Sequence, residues 1–149
     1  MLTVQELIDD NADNIPFTWV AGHGAVDRVI PDDGMSAADL VGHLNLIHPS
    51  RIQVFGEEEL AYYIRFDVRR RVHHVDELLI GGVPAILFAD NLNPPQDLID
   101  QCSQHQVPLL STPIAAAQLI RAVAACHLVM ARAADQPVVS RPTKQHIVT

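Results

Sequence analysis

The residues of this sequence that could do chemistry concentrate in one stretch. Leu40-Val41-Gly42-His43-Leu44-Asn45-Leu46-Ile47-His48-Pro49 places polar side chains inside apolar sequence, and Arg51 follows two residues later. Donors and acceptors embedded in this way must find partners if they are buried. One reading is that His43, Asn45, His48 and Arg51 bond to nearby backbone and stiffen a loop. The other is that they contact a ligand or a partner, and a small anion such as phosphate would suit Arg51 and a protonated histidine. These four residues are the candidate binding residues of the chain.

The remaining reactive residue types point away from catalysis and from metal. Eight histidines are present, so chelation needs a direct check. His43 and His48 would lie about 140° apart around a helix and on opposite faces of a strand. His73 and His74 are adjacent and diverge in regular structure. No Cys-x-x-Cys, His-Glu-x-x-His or calcium loop occurs. A P-loop is missing, because no Gly-rich turn precedes a Lys and a Ser/Thr at the required spacing. Gly22-x-Gly24 lacks the third glycine of a dinucleotide fingerprint and reads as a plain turn. Ser103 and Ser111 have no activating neighbours, and Cys102 and Cys126 sit on apolar helix faces. Glu57-Glu58-Glu59 is helix-start electrostatics, and Arg69-Arg70-Arg71 reads as solvated surface, or else as a contact for an anion or an acidic partner. Trp19, Tyr62 and Tyr63 read as core or half-buried residues. The expectation is therefore no catalytic residue, no metal and no cofactor.

Bulk composition sets further bounds. The 149 residues suit one domain, 48% of them hydrophobic and only 5% aromatic, so the core should be aliphatic. A net charge of −8 argues against nucleic acid and against an anionic membrane surface. The first ten residues are an acidic amphipathic stretch, not a signal sequence. The apolar run Ile114–Ala134 is interrupted by Gln118, Arg121, His127 and Arg132 and does not suit a membrane span. Two cysteines without a secretory signal read as reduced thiols of a cytoplasmic protein.

The elements that must position the candidate residues follow from local pattern. Thr3 and Glu6 form a capping box before a helix to about Asn11, with Val4, Leu7 and Ile8 on its apolar stripe. Phe17–Ala21 and Val26–Ile30 read as strands, the second ended by the turn Pro31-Asp32-Asp33-Gly34. Ser36 and Asp39 allow a short helical turn. Arg51–Phe55 is a strand closed by Gly56, and a helix begins at Glu57. Asp67–Leu79 is either a second helix or an irregular connection, ended by Gly81-Gly82. Pro84–Ala89 is an unbroken apolar run that suits a strand buried on both faces. Pro94 or Pro95 opens a helix to about His105. Val107–Ser111 is a strand, and Ser111 or Thr112 caps a long helix with Ala116, Leu119, Ile120, Val123, Cys126 and Met130 on its stripe. This order predicts an α/β fold: a small layered domain with a mixed or mostly parallel sheet flanked by helices. Residues 1–134 form the domain and 135–149 a linker or flexible tail, in which Val138-Val139 or Ile147-Val148 could pair with an edge strand.

The segment Leu40–Gly56, with its Gly-containing apolar stretch, basic or polar residue, Ile52-Gln53 and closing Gly56, resembles the N-terminal domain of HPr kinase/phosphorylase. The opening helix, the strand–proline turn–helix of Pro84–His105 and the strand before the last helix fit the same resemblance, which spans about residues 1–130. It implies a fold similar to the first domain of the UDP-muramoyl peptide ligases. In the resembled family a separate C-terminal domain phosphorylates and dephosphorylates a serine of HPr, so the implied role here is non-catalytic: a regulatory or interaction domain of the sugar phosphotransferase system. Self-association or a kinase-like partner would be its contacts. The alternative is a domain that senses a small anionic ligand, a nucleotide or a phosphorylated metabolite.

Overall fold

A computed structural model describes residues 2–30, 40–45 and 47–135, with side chains as far as Cys126. The expected turn at Pro31–Gly34, the helical turn at Ser36–Asp39, Met130 on the last stripe and the tail from residue 136 onward lie outside what is described.

The chain opens with α1 (Val4–Asp10). Its capping box is formed: Thr3 Oγ1 accepts from the Glu6 amide at 3.1 Å, and Glu6 Oε1 accepts from the Thr3 amide at 2.9 Å. β1 (Thr18–Ala21) follows, then a 3-10 turn at His23–Ala25. Gly22 takes φ 75° there, and a Cβ would collide with the Val107 carbonyl. The predicted strand Val26–Ile30 does not form. Its carbonyls serve α1 instead, with the Val4 amide donating to Arg28 O and the Gln5 amide to Val26 O, both at 3.0 Å. First-turn helix amides have no partner in their own helix, and meeting that need leaves the segment a single bridge, Thr3 to Val29.

The remaining strands are β2 (Val41–His43), β3 (Ile52–Phe55), β4 (Ile86–Phe88) and β5 (Leu109–Ser111). The sheet order is β1-β5-β4-β3-β2, with β1 antiparallel to β5 and every other pair parallel. Between them run α2 (Glu57–Ile64), α3 (Val68–Ile80) and α4 (Gln96–His105), and α5 (Ala116–Asp135) closes the fold. The mixed sheet flanked by helices is the predicted α/β architecture.

One open local alternative is settled as a helix, and two local expectations resolve differently. Residues 68–80 are helical, started by Asp67, whose carboxylate accepts from the Arg70 amide at 2.9 Å; the pattern is faint because arginines fill its first turn. Pro95 is the N-cap of α4 with extended ψ of 148°, one residue outside the helix. Neither Ser111 nor Thr112 caps α5, which begins at Ala116. The buried Thr112 hydroxyl accepts from the Ile114 amide at 3.4 Å and turns the chain ahead of that helix.

Strand side chains alternate between two cores, as the pleat requires. Ile52, Val54, Leu87 and Leu110 face Val4 and Leu7 of α1 and Leu119 and Val123 of α5. Phe55, Ile86, Phe88 and Leu109 face Tyr63 of α2, Val75 and Leu78 of α3, and Leu98 and Cys102 of α4. Phe55 and Phe88, register partners on β3 and β4, stack at 4.5 Å. The crossovers from β3 to β4 and from β4 to β5 thus use one face of the sheet.

The crossover from β2 to β3 occupies only residues 44–51, whereas parallel strands ordinarily need about a dozen residues or more. Gln53 makes it possible. It lies on β3 with 0% exposure, and the pleat puts its side chain on the same face as Phe55. Its Oε1 accepts from the Asn45 amide at 2.7 Å, and its Nε2 donates to His48 O at 3.1 Å and to Arg51 O at 2.9 Å. One amide side chain therefore satisfies three backbone groups of a connection that has no helix to do so.

Candidate functional site at the carboxyl edge of the sheet

Strands β2 to β5 point their carboxyl ends toward one edge, the edge at which open α/β sheets hold ligands. Two hollows lie there, on either side of Glu58 and Glu59.

The smaller hollow, about 440 Å³, is lined by His43, Gly56, Glu57, Glu59, Asp90 and Ala116. The start of α2 is close beside that of α5, since a Cβ on Gly56 would stand 3.2 Å from the Ala116 Cβ. Glu59 Oε1 accepts from the Gly56 amide at 2.8 Å, and its Oε2 lies 3.4 Å from His43 Nδ1. Asp90 and Asn91 both have positive φ, 56° and 58°. The Asp90 amide donates to Ile114 O at 2.9 Å and that of Asn91 to Thr112 O at 3.0 Å. Carboxylates of this chain already stand where a helix start attracts negative charge, so this hollow is not a vacant anion cradle.

The larger hollow, about 630 Å³, lies between the short crossover and the elbow joining α2 to α3. Leu44 and Asn45 form one side; Glu58, Tyr62, Phe66 and His74 are among the residues of the other. Phe66 stacks on His74 at 5.0 Å and meets Tyr62 edge-on at 5.1 Å. Arg65 stands 6.0 Å from the Tyr62 ring and Arg70 5.0 Å from the Phe66 ring. Burial, reinforced by His73 and Arg70, holds His74 below the ordinary histidine pKa, so its ring is neutral at pH 7. Tyr62 is 52% exposed, with about half of the residue covered.

Its neighbour Tyr63 is buried. The Tyr63 hydroxyl donates to Asp97 Oδ2 at 3.0 Å. Burial and the Asp97 carboxylate push its ionisation above the ordinary tyrosine range. Arg71 Nε lies 3.3 Å from the same oxygen, an ion pair without hydrogen-bond alignment. The third arginine of the triplet is thus drawn inward, while Arg69 and Arg70 are exposed.

The four sequence-predicted residues divide between these features. The His43 side chain turns to Glu59 in the smaller hollow. Asn45 lines the larger one, and its Oδ1 accepts from the Ile47 amide at 2.7 Å. His48 is exposed and Arg51 half-buried. Arg51 Nη1 would stand 2.7 Å from a Cβ on Gly42, and its Nε is buried without a hydrogen-bond partner among the described residues. Asn45, His48 and Arg51 are gathered through their backbones around Gln53, and His43 is not. Sequence reasoning passed over Gln53. The available signal was an amide between Ile52 and Val54, in a strand otherwise apolar.

No group of three or more His, Cys, Asp or Glu is arranged to hold a metal ion among the described residues, and no described helix is long and apolar enough to cross a membrane. Cys102 is fully buried, and burial pushes its thiol up to about 12. Cys126 is half-buried, with Sγ 3.8 Å from Asp10 Oδ2; burial first and that carboxylate second raise its thiol to about 11. Thiols so shifted carry little thiolate near neutrality and are poor nucleophiles.

A family model described as HPr Serine kinase N terminus matches residues 2–126. The HPr kinase/phosphorylases of Bordetella avium and Bordetella pertussis are 85% and 84% identical to the chain over 120 residues. That of Cupriavidus necator is 44% identical over 123 residues. Each alignment covers 80% of this chain and 38–39% of the relative. The chain therefore spans about two-fifths of the length of the curated relatives it matches.

Proposed function

The chain belongs to the family of HPr serine kinase N-terminal domains, and from that premise we propose that it is a non-catalytic module that regulates an HPr kinase/phosphorylase in the cytoplasm. It acts by self-association or by contact with the kinase part of such a protein. One observation supports this reading above others: Glu59, Gln53 and Asn45, polar side chains around these hollows, are bonded to the chain's own backbone. Glu59 holds the Gly56 amide, Gln53 holds three groups of the crossover, and Asn45 Oδ1 holds the Ile47 amide. Groups committed in this way fix a shape and are poorly placed to move protons or attack a substrate. His43, Asn45, His48 and Arg51 then belong to the contact surface that this shape presents.

The test compares the Bordetella avium HPr kinase/phosphorylase with a form from which the matching region has been removed, and with this chain alone. The chain alone should transfer no phosphoryl group from ATP to HPr. Removal should alter assembly or the balance of phosphorylation and dephosphorylation without abolishing transfer. Phosphorylation of HPr by the chain alone would refute the reading, as would a truncated enzyme with unchanged assembly and rates.

A second reading, a module that senses a small ligand, is favoured by a different observation: the larger hollow is lined by the exposed Tyr62 ring, by Phe66 and His74, and by Arg65, which no carboxylate pairs among the described residues.

A further inference from the structure

We infer that the larger hollow, between the β2–β3 crossover and the α2–α3 elbow, is a binding site for a nucleotide: a flat heteroaromatic ring with hydrogen-bond donors and an attached phosphate. This inference rests on the ligand-sensing reading and names its site and chemistry.

Each part of that ligand is specified by a different set of residues. The ring is specified by Tyr62, Phe66 and His74, which touch in sequence at 5.1 and 5.0 Å. The Tyr62 ring is left half uncovered in a chain with only two tyrosines, one tryptophan and four phenylalanines. A base can stack on such a platform whatever its identity, because every base has a π-face.

The phosphate is specified by charge. Arg65, Arg69, Arg70 and Arg71 put four of the chain's ten Lys and Arg residues into seven positions of a chain with net charge −8. Arg71 is paired with Asp97. Arg65, Arg69 and Arg70 make no ion pair among the described residues, whose ion pairs are His43–Glu59, Arg71–Asp97 and His73–Glu77. Of the three, Arg65 lines the hollow, 6.0 Å from the Tyr62 ring, and Arg70 stands beside it, 5.0 Å from the ring of the lining residue Phe66. Guanidinium groups of this kind bind phosphate oxygens in pairs.

The donors are specified by Glu58, which lines the same hollow beside Glu59 and offers carboxylate oxygens to amino groups or ribose hydroxyls. These carboxylates also discriminate. A purely anionic ligand, such as free phosphate or an acidic peptide, meets their repulsion, and a purely cationic one meets the arginines. A ligand with a donor-bearing ring at one end and a phosphate at the other satisfies both. The volume of about 630 Å³ lies within the usual range of small-molecule sites.

The experiment titrates the chain with AMP, UMP, adenosine, uridine and inorganic phosphate, read by calorimetry and by the ring and amide NMR signals of Tyr62, Phe66 and His74. At least one of the two nucleotides should bind one to one and move those signals. Its nucleoside and phosphate alone should each bind at least about tenfold more weakly. Tyr62→Ala should weaken nucleotide binding about tenfold, and Arg65→Gln with Arg70→Gln should remove the preference for nucleotide over nucleoside. The three side chains are exposed or half-buried, so an unchanged melting curve serves as the control for folding. The inference fails if neither nucleotide binds at millimolar concentration, if phosphate alone binds as tightly, or if neither set of substitutions weakens binding. A failure here combined with altered regulation on removing the domain from the Bordetella enzyme would sink the nucleotide site and leave the regulatory reading standing.

Discussion

The crossover at residues 44–51 and the elbow at residues 62–74 border the same hollow and treat their polar groups in opposite ways. In the crossover, the amide of Asn45 and the carbonyls of His48 and Arg51 are all bonded to one buried side chain, Gln53. At the elbow, Tyr62 stands half exposed, and Arg65 and Arg70 have rings beside them but no carboxylate within ion-pair distance among the described residues. Groups satisfied internally hold a fold together, and groups left over are available to something else. The contrast separates what the chain needs for stability from what it offers for binding.

The largest expected effect tests the first half of that contrast. Gln53→Leu removes a partner from three backbone groups, each costing about 1–3 kcal/mol if left buried and unpaired. A loss of about 3 kcal/mol or more in urea unfolding is expected, whereas Tyr62→Ala should stay within about 0.5 kcal/mol of the parent. Equal costs for the two would erase the distinction. The next largest effect divides adjacent tyrosines. Tyr63→Phe deletes the bond to Asp97 and should lose about 1 kcal/mol, measured by the same melts. A neutral result would place the Asp97 carboxylate wholly in the care of Arg71.

Smaller still is a contribution from pH. His74 is held below its ordinary pKa by burial and by nearby His73 and Arg70. The folded chain therefore takes up this proton less readily than the unfolded chain. Its contribution is unaffected above the unfolded pKa of about 6.5 and becomes a growing penalty as the pH falls below it. His74→Phe, which keeps a ring against Phe66, should flatten that part of the fall in stability between about pH 7.5 and about pH 5.5. An unaltered slope would show that the His74 ring carries no burial penalty. The smallest effect is chemical. Native Cys102 should react with a disulfide reagent at mildly alkaline pH only as fast as the domain opens, and rapid labelling without unfolding would contradict its burial.

What the sequence revealed divides along a physical line. Features whose partners are close in the chain were legible: the Thr3–Glu6 box, the acidic start of α2, and the apolar run of β4. Features decided by distant partners were not. Val26–Ile30 has the composition of a strand, yet its carbonyls are claimed by the first turn of α1. Tyr62 and Tyr63 are indistinguishable in type, and only the position of α4, which brings Asp97 to one of them, makes them differ. The candidate residues around Leu40–Arg51 were visible as polar groups in apolar surroundings. The glutamine that organises three of them lies on the next strand, and its role depends on how β2 and β3 are joined.

The placement of β1 sets the order of assembly. This strand finds its sheet partner in β5, roughly ninety residues later in the chain. Helix α1 packs against Leu119 and Val123 of α5, later still. The β1–β5 seam cannot close until residues 109–111 have been made, and neither can the parallel β4–β5 seam. A nascent chain halted before β5 is therefore expected to leave Leu2, Val4 and Leu7 without their partners on β5 and α5, open to chaperones or to proteolysis.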